Sequence, residues 1–163
     1  MKKTPVSELL KELSHTWPEA YRKTNPFMLQ LYRARDYYYD VYCEDIAPFE
    51  IQPGDFEVLA SLRSSDSPYQ LSPTDIYRGI ICSSGGLTKI LNRLQKAGLI
   101  KRVANKKDKR SSLVKLTAKG KRTIEAAMNA VLNTEITLVA SFTEKEKKQL
   151  YQLLSKLIQS QNG

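Results

Sequence analysis

Residues 71–120 read LSPTDIYRGI ICSSGGLTKI LNRLQKAGLI KRVANKKDKR SSLVKLTAKG, and the order of signals in this stretch decides the fold. Ser72-Pro73-Thr74-Asp75 supplies an N-cap, a proline at the first helical position and an acid at the third. A short helix therefore opens there and runs through Ile76 and Ile80. Cys82-Ser83-Ser84 breaks it and caps a second helix over about 84–97, with Leu87, Ile90, Leu91 and Leu94 on one apolar face. Gly98 ends that helix as a glycine placed just past its last turn. The helical period then fails. Ile100-Lys101-Arg102-Val103 and Leu113-Val114-Lys115-Leu116 are short β-prone segments flanking the polar run 105–112, which makes a hairpin with a long basic turn.

Helix signals dominate on both sides. Thr4-Pro5 with Ser7 opens a short helix through Leu9, Leu10 and Leu13 that stops before Trp17-Pro18. Asn25-Pro26 starts a longer amphipathic helix, with Phe27, Leu31, Ala34, Tyr38 and Val41 at spacings of four and three, ending near Ala47-Pro48. A further helix covers Asp55 to Leu62 with Phe56, Leu59 and Leu62 inward, and Ser64-Ser65-Asp66-Ser67-Pro68 is a loop. Beyond the hairpin a helix runs from Thr117 to about Ser141. The capping box Thr143-Glu144-Lys145-Glu146 opens a last one carrying Leu150, Leu153, Leu154, Leu157 and Ile158. The expected fold is mainly α with a small β-hairpin wing: a winged helix-turn-helix flanked by long helices.

The charge sits where this unit sits. Residues 83–123 hold 13 of the 26 Lys and Arg but only one of the 17 acids, Asp108, so the segment is +12 and the remainder −3, within a net +9. A cationic excess confined to one quarter of a 163-residue chain is an electrostatic footprint for a polyanion, nucleic acid first, where a merely solubilising surface would scatter its charges. The other features exclude more than they suggest. Neither a membrane span nor a signal peptide is legible, which points to the cytoplasm. A single histidine, His15, and two separated cysteines, Cys43 and Cys82, argue against a metal site, a disulfide framework or a serine triad. No GxxxxGK[ST], GxSxG or HExxH motif is present, so neither an enzyme nor a cofactor is expected.

A helix-turn-helix reads duplex DNA by placing its second helix in the major groove, while the first crosses the backbone. The second helix must keep one apolar face for docking and one polar face for bases and phosphates. Here Gly85, Thr88, Lys89, Asn92 and Lys96 lie opposite the leucines, with Arg93 at the edge. Ser83 and Ser84 bring hydroxyls to the helix N-terminus, where first-turn N–H groups and the helix dipole favour a phosphate. Gly85-Gly86 is costly inside a helix unless the backbone approaches DNA or another helix closely. At the hairpin tip, Lys106, Lys107, Lys109 and Arg110 suit insertion into a narrow minor groove, and Asp108 is placed to orient Arg110. The bland alternative for that tip is a solvated loop.

The motifs Leu71-Ser72-Pro73-Thr74-Asp75-Ile76, Leu87-Thr88-Lys89-Ile90-Leu91-Asn92-Arg93-Leu94 with Gly98-Leu99-Ile100, and Asp108-Lys109-Arg110 with Val114-Lys115-Leu116-Thr117-Ala118-Lys119-Gly120 resemble the MarR (multiple antibiotic resistance) family of bacterial regulators. The resemblance covers about 25–160. It implies an obligate homodimer built by the outer helices, recognition positions at Thr88, Lys89 and Arg93, and a wing arginine at Arg110. The implied organisation is an extension over 1–24, a dimerisation region over 25–48 and 118–163, and a DNA-binding domain over 49–117. Asn92 departs from the aspartate often found there, which weakens orientation of Arg93 within the helix, and the first 24 residues are longer than the usual arm.

The function expected on these grounds is that of a sequence-specific regulator, a repressor more often than an activator, that binds a palindromic operator as a homodimer. The resemblance also implies release by a phenolic or lipophilic ligand, or oxidant sensing through a cysteine. Five tyrosines crowd the 26–46 helix, and Tyr32, Tyr38 and Tyr39 either line an aromatic ligand pocket or serve as ordinary packing residues. Cys43 lies among Asp40, Glu44 and Asp45, and Cys82 beside Ile80 and Ile81, settings that favour structural roles for both. A winged helix that binds a protein partner is the remaining alternative, and a steep fall of DNA affinity with rising salt would discriminate against it.

Overall fold

The computed structural model describes residues 4–80, 86–105 and 112–159. They divide into two units, one ending at Glu44 and the other beginning at Asp45. The first unit contains α1 (Val6–Thr16), α2 (Pro18–Lys23) and most of α3 (Pro26–Ile46). The helix α2 departs from the sequence reading, in which Trp17-Pro18 only stops a helix. Proline at the first helical position lacks an N–H that the helix does not need there, so Pro18 starts a new one. Asn25 opens α3 by accepting the Phe27 N–H on its side-chain oxygen at 3.0 Å. The Arg33 guanidinium, donating to the Thr4 carbonyl at 2.9 Å, ties α3 to the start of α1.

The second unit has the order α4 (Pro53–Arg63), β1 (Gln70–Leu71), α5 (Pro73–Gly79), α6 (Leu87–Lys96), β2 (Ile100–Ala104), β3 (Ser112–Leu116), α7 (Ala118–Leu138) and α8 (Glu144–Gln159). The strands form one antiparallel sheet in the order β1-β3-β2. In the hairpin Ile100 faces Leu116 and Ala104 faces Ser112. The third strand is an addition to the expected hairpin. Gln70 and Leu71 pair with Lys115 and Val114, and the Leu116 N–H donates to the Tyr69 carbonyl at 3.0 Å. Two residues are too few for an alternating pattern to show.

The core of this unit is gathered around α4, which packs on α5, α6, α7 and β3. Val58, Leu59 and Leu62 of α4 are fully enclosed together with Ile76, Leu91, Leu94, Val114 and Ile124. The apolar face expected for α6 is therefore the buried one. The helix α7 ends at Leu138, about a turn earlier than its pattern suggests, and Thr143 caps α8 through Glu146 as expected. Toward the carboxyl end of the chain the apolar side chains are no longer covered. Ile136 is 68% exposed, and on α8 Leu153 and Ile158 are 57% and 64% exposed. No described helix is long and apolar enough to cross a membrane.

Candidate nucleic-acid interface

The two helices of the helix-turn-helix are α5 and α6. Ser72 caps α5: its hydroxyl accepts the Asp75 N–H at 3.1 Å and donates to the Asp75 carboxylate at 2.6 Å. The second helix begins later than its sequence suggests, at Leu87 and not at Ser84, because Gly86 stands in the left-handed region with φ +95°. Only glycine adopts that backbone without steric cost, so Gly86 acts as the residue that turns the chain into α6, outside the helix. At the other end Gly98 takes φ +73°, and the Leu99 N–H returns to the Leu94 carbonyl at 3.0 Å, closing α6 as its glycine suggests.

Between these ends α6 has two faces. Ile90, Leu91 and Leu94 are buried, and Thr88, Lys89, Asn92, Gln95 and Lys96 form a polar stripe on the other side. Among the described residues Lys89 and Lys96 pair with no acid. Arg93 lies between the faces, and its partner is not legible in the sequence. Its Nε and Nη2 both bind the carboxylate of Asp55, at 3.0 and 2.8 Å, in a bidentate pair. The Asp55 side chain is 3% exposed and the Arg93 side chain 35%, so the carboxylate is enclosed while one edge of the guanidinium faces solvent. Asp55 also accepts the Gln52 N–H at 2.9 Å, capping α4. It is the only buried charged residue among those described, and sequence reasoning sees in it only the start of a helix. The acid that orients Arg93 thus comes from α4, which offsets the asparagine at position 92.

Two more members of the cationic stretch are engaged within the domain. Lys119 donates to the Ala97 carbonyl at the end of α6, at 3.0 Å. Lys121, together with Arg63 of α4, lies over the ring of Tyr69, at 5.4 and 5.0 Å, and both approach Glu125, at 3.9 and 2.7 Å. The hydrogen bond from Arg63 to the Glu125 carboxylate holds that guanidinium above its usual proton affinity.

The remaining expected contacts fall outside the described residues: Ser83, Ser84 and Gly85 before α6, Lys106, Lys107, Asp108, Lys109 and Arg110 at the hairpin tip, and Cys82. The strands leading toward that tip stay paired as far as Ala104 and Ser112. In the first unit Tyr38 stacks on Tyr42 with ring centroids 6.2 Å apart, Tyr39 leans on the same ring at 6.3 Å, and the Arg35 guanidinium lies over Tyr39 at 5.0 Å. Tyr32 shares the stripe of Tyr39, seven residues on, and is more exposed. Cys43 is half-buried and forms no disulfide with a described residue.

A helix pair with a buried leucine face and an exposed polar one, joined to a three-stranded sheet, defines a winged helix DNA-binding domain, and residues 52–120 match the family model of that description. Two relatives extend the match along the chain. The transcriptional regulator PecS of Dickeya dadantii is 30% identical over 109 residues, which cover 67% of this chain and, at 66%, just under two thirds of that protein. The multiple antibiotic resistance protein MarR of Escherichia coli is 32% identical over 118 residues, 71% of this chain and 78% of that one. A crystal structure of a MarR variant from Escherichia coli complexed with operator DNA superimposes with a TM-score of 0.70 at 28% identity, covering 81% of this chain and 93% of that one. The chain belongs to the MarR family of transcriptional regulators.

Proposed function

We propose that the protein is a sequence-specific repressor that binds a palindromic operator as a homodimer. The observation that carries this reading is the polar stripe of Thr88, Lys89 and Asn92 on a helix whose other face is buried and whose flank is fixed by Asp55. Such a helix presents side chains to base edges in one pose, which sequence readout requires. Thr88, Lys89 and Asn92 reach the major groove. Arg93 holds the pose through Asp55 and offers its free edge to the DNA. Ser83, Ser84 and Gly85 meet a phosphate, and the wing residues Lys106, Lys107, Lys109 and Arg110, with Asp108 orienting Arg110, reach the minor groove.

Residues 49–117 form the DNA-binding domain in this reading. The dimer is built from 25–48 and 118–163, a role supported by the uncovered apolar side chains of α7 and α8. Two recognition helices related by a twofold axis require half-sites about one helical turn apart. The protein works in the cytoplasm and carries no cofactor. A small phenolic or lipophilic ligand releases it from DNA by engaging the tyrosines of α3, Tyr32, Tyr38 and Tyr39.

The test is selection of duplexes from a random-sequence pool, followed by gel-shift titration. The selected sequences should be inverted repeats. Lys89→Ala and Arg110→Ala should each weaken binding by about five- to a hundredfold while the protein stays folded. A pool that emerges unenriched would remove the reading.

A further inference from the structure

The carbonyl end of α6 is held by the start of α7. Thr117 caps α7 by accepting the Gly120 N–H on its hydroxyl oxygen at 2.9 Å. The same hydroxyl is shared between the Gly98 and Leu99 carbonyls at 2.8 and 3.0 Å, and the Thr117 N–H adds a second bond to the Leu99 carbonyl at 3.1 Å. The Lys119 ammonium takes the Ala97 carbonyl at 3.0 Å. Three successive carbonyls, that of Ala97 at the negative end of the recognition helix and those of Gly98 and Leu99 just after it, are thus collected by donors from the first turn of another helix. The seat is close. Gly120 is buried against the Leu99 carbonyl, and a Cβ at position 120 would overlap that oxygen. The Leu116 side chain beside it could shift, but the Leu99 carbonyl is backbone and cannot swing aside.

We propose that this first turn of α7 is a positioning element for operator recognition, and that Lys119 acts on the end of α6 and not on a DNA phosphate. The inference rests on the DNA-binding reading above and deepens it. By composition Lys119 is one more cation of the +12 stretch; by geometry it is a cap. The two roles differ in what they do to binding. A phosphate contact contributes to every duplex alike and adds about 0.9 to the slope of log affinity against log salt. A cap that fixes the pitch of the recognition helix contributes only where base edges must be met in register, because binding through phosphates alone tolerates a tilted helix. The joint also makes α7 and the recognition helix turn together, so the direction of α7 sets how α6 enters its groove.

The experiment uses the full chain and two probes, a duplex selected by the wild-type protein from a random pool and a scrambled duplex of the same composition. Affinities for both are measured across a salt series for Lys119→Met, Lys119→Arg and Thr117→Val, at a temperature well below each variant's unfolding midpoint. Lys119→Met should lower the ratio of selected to scrambled affinity by about two- to fivefold, and Thr117→Val by about tenfold. The salt slope and the scrambled affinity should stay as in the wild type, and Lys119→Arg should restore the ratio. Gly120→Ala should lower the ratio further if it folds; Thr117→Val decides the matter if it does not. Parallel loss on both duplexes with a shallower slope for Lys119→Met would make Lys119 a phosphate contact and overturn the proposal. So would an unchanged ratio in a folded Thr117→Val. A wild-type protein that prefers no duplex would instead defeat the reading beneath it.

Discussion

At the scale of single residues the ion pair between Asp55 and Arg93 is asymmetric, and the asymmetry can be measured. The carboxylate is enclosed, while the guanidinium has one edge in water. Arg93→Ala strands a buried charge and should cost about 3 kcal/mol in a denaturant titration, somewhat less than a fully buried pair because the arginine is half-solvated. Asp55→Asn keeps the shape, releases Arg93 to solvent and should cost only about 1 kcal/mol. Equal losses would mean that the pair does not dominate the local energetics. The polar stripe of α6 is legible in the sequence because Thr88, Lys89 and Asn92 alternate with buried leucines at the helical period, a relation among near neighbours. The pair is not legible, because its members are 38 positions apart and nothing local to Asp55 distinguishes it from any acid in a first turn. Arg93 stands out by its place at the edge of the stripe, but its partner can come only from the packing of α4 on α6.

Elements are legible where a period or a cap defines them and obscure where a single backbone torsion does. Both ends of α6 involve glycine, and Gly98 is recognisable because a glycine just past a helix has a well-defined role. Gly86 reads as a helix-interior residue, since a left-handed residue before a helix leaves no periodic trace. Gly86→Ala forces a side chain into φ +95° and should cost about 1–2 kcal/mol, read as a lower unfolding midpoint. The strand β1 goes unseen for want of length. The capping box of α8, in contrast, is fully written in Thr143-Glu144-Lys145-Glu146. There the Thr143 N–H donates to the Glu146 carboxylate at 2.8 Å, and the Thr143 hydroxyl does so at the same distance. Both bonds favour the ionised form and hold its proton affinity below the usual glutamate range. Because the folded value is the lower one, this contribution is complete above the unfolded value of about 4.3 and is lost as pH falls through the folded value. The stability advantage of the wild type over Glu146→Gln should accordingly shrink as the solution is acidified through that window. An advantage that grows instead would contradict the cap.

At the scale of the whole molecule the uncovered apolar side chains and the charge have to be considered together. Ile136, Leu153 and Ile158 remain in water in a single chain, a cost that the proposed association of two copies would remove. Leu153→Glu should shift the protein toward monomer in sedimentation, and it should weaken binding to a two-half-site duplex far more than to a single half-site. A variant that still sediments as a dimer would place the interface elsewhere. Lys121, unlike Lys89, is engaged by Glu125 and by the Tyr69 ring. Lys89→Gln and Lys121→Gln therefore move the isoelectric point by the same step, and a cation-exchange column should elute the two variants together. A filter-binding titration should separate them, because in the proposed reading only the first gives up a cation that a duplex can use.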